Sequence, residues 1–194
     1  LLLLAVVGQS KFKDKFSYNF KTAVSTGEGR NITGNADAGV AVTGKVELLP
    51  FGAFSRDGTY FEGDIVREKK PKLLLSGAFQ QNNHAKRVQG QLGNDLFEER
   101  TMKSVMLDAM LKYNGWAAMS SYMSRTTSRN AVTINPDDIT QSNYAYVGNG
   151  FDHQLSYNFP SNYEIIGRYS TQKVGEDIRT LAPNSKQYTV GLTK

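Results

Sequence analysis

Nine charged side chains fall at matching positions of alternating segments in this chain: Lys21, Lys45, Lys112, Arg125 and Arg168 are basic, and Glu47, Asp108, Asp152 and Glu164 are acidic. Their chemistry is that of an electric field rather than of bond making. Fixed cations along a wet surface raise the local concentration of anions and lower the barrier to their passage. Five bases against four acids is a small excess, so the expectation is a mild preference for small anions. The alternative is that the same charges simply solvate the surface and pair across neighbouring strands.

Other chemistry has less footing. His84 sits in an expected loop and His153 on the apolar side of a strand, far apart and without metalloprotease spacing. The segment GEGRN at 27–31 offers two glycines and Arg30 to an anion, yet it lacks the following helix of a nucleotide loop and reads as a turn. Asp57, Glu62 and Asp64, like Asp137 and Asp138, lack calcium-loop spacing and read as solvated loop acids. The basic run Arg67, Lys69, Lys70 and Lys72 is interrupted by Glu68 and Pro71 and has no adjoining aromatic platform, which argues against nucleic acid. With no cysteine there is no thiolate nucleophile, disulfide or cysteine metal site. No catalytic residue, metal, cofactor or nucleic-acid partner is therefore expected.

The elements that must position the nine charges follow from a period of two, which only a strand can use. From Lys15 to Thr26, Phe16, Tyr18, Phe20, Thr22 and Val24 share one face, while Ser17, Asn19, Lys21, Ala23 and Ser25 share the other. Further strands are expected at Ala38 to Leu49, Leu73 to Gln81, Lys103 to Tyr113, Trp116 to Arg125, Phe151 to Phe159, Tyr163 to Val174 and Gln187 to Lys194. Leu1 to Gly8 lacks alternation; it reads as a strand entered midway, with the tail of a secretory signal as the alternative. At 194 residues, 39% of them hydrophobic, the chain suits one all-β domain. Its longest unbroken apolar stretch, Leu1 to Val7, is far short of the roughly 20 residues of a spanning helix.

The apolar face carries no interior charge from Phe16 through Leu192; Lys103 and Lys194 fall only at strand ends. A lysine or arginine facing lipid near the bilayer midplane costs about 2–4 kcal/mol, so this pattern fits a membrane wall. A soluble sandwich core would be uncharged as well. Tyr113 and Trp116 flank an Asn-Gly turn, and Phe159 and Tyr163 flank Pro160-Ser161-Asn162, which would set four aromatic rings at one membrane interface. Cross-strand aromatic pairing in any sheet is the alternative. Two short turns on one rim, against long polar connections at 82–102, 126–150 and 175–186, is the layout of a bacterial outer-membrane barrel. By that parity Pro50 to Lys72 should be short; its length implies a folded excursion or a miscount. Nine strand candidates are an odd number, so the expected fold is an antiparallel transmembrane β-barrel of which this chain is one part.

An ordered set of segments resembles the phosphate-selective porin O/P family, in particular its Bacteroidota members. The segments are FSYNFKTAVSTGEGRN at 16–31, GKVELLPFGAF at 44–54, YFEGDIVREKKPKLLLSGAF at 60–79, QGQLGNDLFEER at 89–100, KYNGWAAMSSYM at 112–123 and GNGFDHQLSYNFPSNYEIIGRYS at 148–170. The resemblance implies an integral outer-membrane barrel of about sixteen strands, often homotrimeric or joined to other outer-membrane proteins, surrounded by lipid and passing small anions by diffusion. The arginines and lysines on which phosphate selectivity rests in the family have no position-by-position match here. The second expectation is a non-conducting barrel subunit that scaffolds a larger outer-membrane complex.

Overall fold

The computed structural model describes residues 2–27 and 39–194. Within them the chain forms eleven strands, nine of which make a single antiparallel sheet. These are β1 (Leu2–Ser10), β2 (Ser17–Thr26), β3 (Val40–Leu49), β4 (Lys72–Arg87), β5 (Asp95–Tyr113) and β6 (Trp116–Thr127), then β9 (Gly148–Asn158), β10 (Glu164–Val174) and β11 (Ser185–Thr193). A small separate hairpin, β7 (Val132–Ile134) with β8 (Ser142–Tyr144), lies in the connection from β6 to β9. Every strand of the large sheet pairs with its neighbour in that order, and β1 and β11 form its two edges. The all-β expectation holds. The GEGRN reading and the start of the expected third strand fall largely outside the described residues.

Local chemistry explains the tight turns. Asn114 and Gly115 take φ of 47° and 91°, the positive pair that a two-residue hairpin between right-twisted strands requires. At the second turn Asn162 takes φ of 63° and the Phe159 amide donates to the Tyr163 carbonyl at 2.7 Å. Both turns lie on one rim. On the other, β4 and β5 run well beyond the expected Gln81 and Lys103, with register shifts between Asn82 and Ala85 and between Ala85 and Arg87.

Register aligns the side chains into continuous rows. Val46, Gly77, Leu107, Tyr122, Phe151 and Thr171 stand opposite one another across six strands, and Leu73, Leu111, Ala118, Leu155, Gly167 and Val190 form a second row on the same face, nearer the short-turn rim. These rows belong to the apolar face, and it is uncovered: Leu107 is 50% exposed, Leu155 53% and Ile165 49%. Burial lies instead on the polar face, where Lys72, Ser76, Ser104, Lys112, Gln154 and Ser156 are all buried. A soluble sheet buries its oily side; this one does the reverse.

Two small apolar clusters exist. One gathers Leu49, Phe54, Leu74 and Met110, with Met119 against them, where residues 51–71 meet the polar face. The other, at the long-loop rim, joins Ala85, Val88, Leu96, Met102, Ala131, Ala145, Ile178 and Ala182. No helix among the described residues is long and apolar enough to cross a membrane.

Candidate functional site: the polar face and the segment that covers it

All nine predicted charges stand on the polar face, and cross-strand register decides which meet. Lys21 and Lys45 are directly opposite on β2 and β3, and both reach Glu47, at 3.2 and 2.8 Å. Asn19 adds a 3.0 Å hydrogen bond to the same carboxylate. Arg168 on β10 meets Asp152 on β9 at 2.7 Å. Asp108 accepts the Ser76 hydroxyl at 2.8 Å. Arg125 donates to the Ser104 hydroxyl at 3.1 Å and to the Gln89 carbonyl at 3.3 Å, so among the described residues its hydrogen-bond partners are neutral. Much of the expected cationic excess is therefore spent on local ion pairing.

Lys112 departs from the expectation. It shares the polar face but is only 1% exposed, because the connection between β3 and β4 folds over it. Its ammonium donates to the carbonyls of Gly58, Phe61 and Gly63, at 2.7, 2.5 and 2.7 Å, which satisfies all three protons. Asp64, Glu68 and Glu164 supply opposing charge nearby. Lys112 thus holds a segment in place instead of presenting a cation to water. Glu164 is partly covered by the same segment, with its carboxylate against Gly63, where a Cβ would collide.

The long connection from Pro50 to Lys72 is therefore a folded excursion, and it lies against the polar face of the sheet. Asp64 accepts the backbone N–H of Gly115 at 2.7 Å and that of Glu68 at 3.0 Å. Glu68 accepts the Ser55 amide at 2.5 Å and its hydroxyl at 3.0 Å, and its own carbonyl takes the Asn114 amide at 2.8 Å. Glu62 accepts from Gln154 at 3.1 Å, and Arg67 donates to the Asn158 carbonyl while lying 5.5 Å over the Tyr157 ring. At its start, Ala53 donates to the Phe12 carbonyl at 2.7 Å. Buried Lys72 donates to the carbonyls of Lys13 and Phe51 and, at 3.2 Å, to Asp14. Lys70 also reaches Asp14, and these two ammonium groups hold its carboxyl below the ordinary value of 3.8.

The four predicted interface rings lie at the short-turn rim. Trp116 stacks at a tilt on Tyr157, with ring centroids 4.7 Å apart, and Tyr157 meets Phe159 edge-on at 4.8 Å. Tyr113 stands opposite Trp116 across the turn, and the Lys194 ammonium lies over the Tyr163 ring. His153 faces outward with the apolar row and its Nδ1 is 2.9 Å from the Ser120 hydroxyl. Among the described residues, no group of acids and histidines is arranged to hold a metal ion.

Sequence reasoning missed the anchoring roles of Lys72, Asp64, Glu68 and Arg67. One signal was available: Lys72 and Lys112 share a pairing position on adjacent strands, and two lysines side by side on one sheet face need acceptors from outside the sheet. Compared with known proteins, the chain matches no family model, and neither a curated protein nor a solved structure is significantly similar to it.

Proposed function

We propose that this chain is part of the wall of a bacterial outer-membrane porin, a β-barrel closed by further strands, through which small solutes diffuse with a mild preference for anions. The observation that carries the reading is the inverted burial: an uncovered apolar face, and a polar face that holds the charges and the folded-in segment. On β5 the apolar-face residues Val105, Leu107, Ala109, Leu111 and Tyr113 mark a stretch of nine residues, within the roughly 9–11 that a tilted transmembrane strand needs. Open edges in hydrocarbon would leave backbone groups unpaired, so β1 and β11 require partners there. The family resemblance agrees with this reading, and phosphate as a particular solute rests on that resemblance alone.

In such a wall, residues 51–71 narrow the lumen at the short-turn rim, while Lys21, Lys45 and Arg125 set the sign of the field. Glu47 and Asp152 neutralise enough of it to keep selectivity weak. A second reading, a non-conducting barrel subunit scaffolding a larger complex, is favoured by one observation, the cover that this segment forms over the polar face. Reconstitution of the full-length protein in a planar bilayer tests both. Stepwise conductance with a reversal potential of anionic sign across a salt gradient supports the porin. Clear cation selectivity overturns the anion preference, and absence of conductance together with a fixed set of copurifying partners selects the scaffold. Solubility without detergent removes both.

A further inference from the structure

The basic run Arg67, Lys69, Lys70 and Lys72 lines a cavity of about 540 Å³ at the short-turn rim, between the β1–β2 turn and the covering segment. Six bases face it: Lys13, Arg56, Arg67, Lys69, Lys70 and Lys72. The two acids among the lining residues are already engaged. Asp14 holds Lys70 and Lys72, and buried Glu68 is taken by the amide and hydroxyl of Ser55. The side chains of Lys13, Arg56 and Lys69 make no hydrogen bond or ion pair among the described residues. Three cations are thus concentrated beside one another without an ion-pair partner among the described residues.

Backbone conformation adds an independent observation. Arg56 takes φ of 48° and ψ of 43°, and Arg67 φ of 51°. Left-handed backbone at a non-glycine residue costs of order 1 kcal/mol or more, and such residues concentrate at ligand sites. Both guanidinium-bearing residues of this cavity adopt it. Ile65, 57% exposed, and Val66 supply an aliphatic wall beside the charges.

We propose that this cavity binds a phosphate ester. Arginine and lysine together complement a tetrahedral dianion or diester through charge-assisted hydrogen bonds, and the volume accepts an organic group next to the phosphate, which the Ile65–Val66 wall would contact. The phosphate could be carried by a soluble molecule or by a lipid head group at the rim, and recognition would be the same in either case. Binding of a soluble phosphate ester does not depend on the transport reading, because the cavity is built from the covering segment and one turn, whereas the lipid form rests on the membrane placement proposed above.

The test uses the full-length protein in zwitterionic nanodiscs, with sn-glycerol 3-phosphate titrated calorimetrically and inorganic phosphate as competitor, and in parallel the protein in nanodiscs containing phosphatidylglycerol, followed by native mass spectrometry of retained lipid. The variant combines Lys13→Gln, Arg56→Gln and Lys69→Gln, side chains without partners in the fold, so its thermal unfolding should match the parent. Loss of these contacts should weaken binding at least about tenfold in whichever arm binds. Binding in the soluble arm, or only of the lipid, supports the site and identifies the carrier. No binding in either arm, equal binding by the variant, or malonate bound as tightly as glycerol phosphate overturns it.

Discussion

The carboxylate of Asp64 and the backbone N–H of Gly115 meet at 2.7 Å, joining the covering segment to the tip of the β5–β6 turn. Gly115 owes its position to the positive φ of that turn, so a hairpin signal in the sequence also fixes where the cover attaches. Asp64 is fully buried and also accepts from the Glu68 amide. Replacement Asp64→Ala leaves both amides without their acceptor, a loss of about 3 kcal/mol from the closed arrangement. The expected result is faster amide hydrogen exchange across residues 58–68 with the sheet intact, and a larger unitary conductance if the segment narrows a pore.

Acid should loosen the start of the same segment. The Asp14 carboxyl is held below its ordinary 3.8, first by Lys70 and then by Lys72. A depressed folded value means that its stabilisation is complete above 3.8 and is lost as pH falls through the lower, folded value. The protection factors of the Gly52 and Ala53 amides, next to the Lys13 and Phe51 carbonyls that Lys72 also holds, should fall over that window once exchange is referred to the intrinsic rate at each pH. Asp14→Asn should remove the acid step and show the faster exchange already at neutral pH.

The apolar face gives the sharpest test of its surroundings. Leu107 lies in the apolar row between Gly77 and Tyr122 and is half exposed. Leu107→Lys should cost about 2–4 kcal/mol if that face meets hydrocarbon, and within about 0.5 kcal/mol if it meets water. Urea titration of folding into lipid vesicles measures the difference.

Selectivity should respond to Glu47, which sits between Lys21 and Lys45. Glu47→Gln frees two cations at one level of the polar face, and the reversal potential should move further in the anionic direction. Paired replacement of Lys21 and Lys45 by glutamate should reverse its sign.

Much of the sheet was legible in the sequence. Period-two alternation located β2 and β3 and the turns that close β5–β6 and β9–β10, because each of those strands has one oily and one wet side. Even Leu2–Ser10, which lacks clean alternation, pairs in register with β2 once a neighbour is supplied. The extensions of β4 to Arg87 and β5 back to Asp95 were not legible: beyond the apolar rows both faces are largely polar and the period disappears. The three-residue strands β7 and β8 are too short to show one. Within the site, the alternation placed Lys21, Lys45, Glu47, Asp152 and Arg168 on one face and left cross-strand pairing as a general alternative; only the observed register selects the Lys21–Lys45–Glu47 and Arg168–Asp152 groups. The burial of Lys112 did not emerge, because its acceptors are carbonyls of Gly58, Phe61 and Gly63, some fifty residues away in a segment without periodicity.

The apolar cluster at the long-loop rim draws on the β4–β5 extension, the region around β7 and β8, and the stretch near Ile178 and Ala182. No pair of neighbouring strands can assemble it. It should therefore form late, after the meander has zipped through β10, since contacts so distant along the chain wait for the intervening loops to close. Protection of the Ile178 and Ala182 amides in a pulse-labelling experiment would then serve as a clock for completed folding.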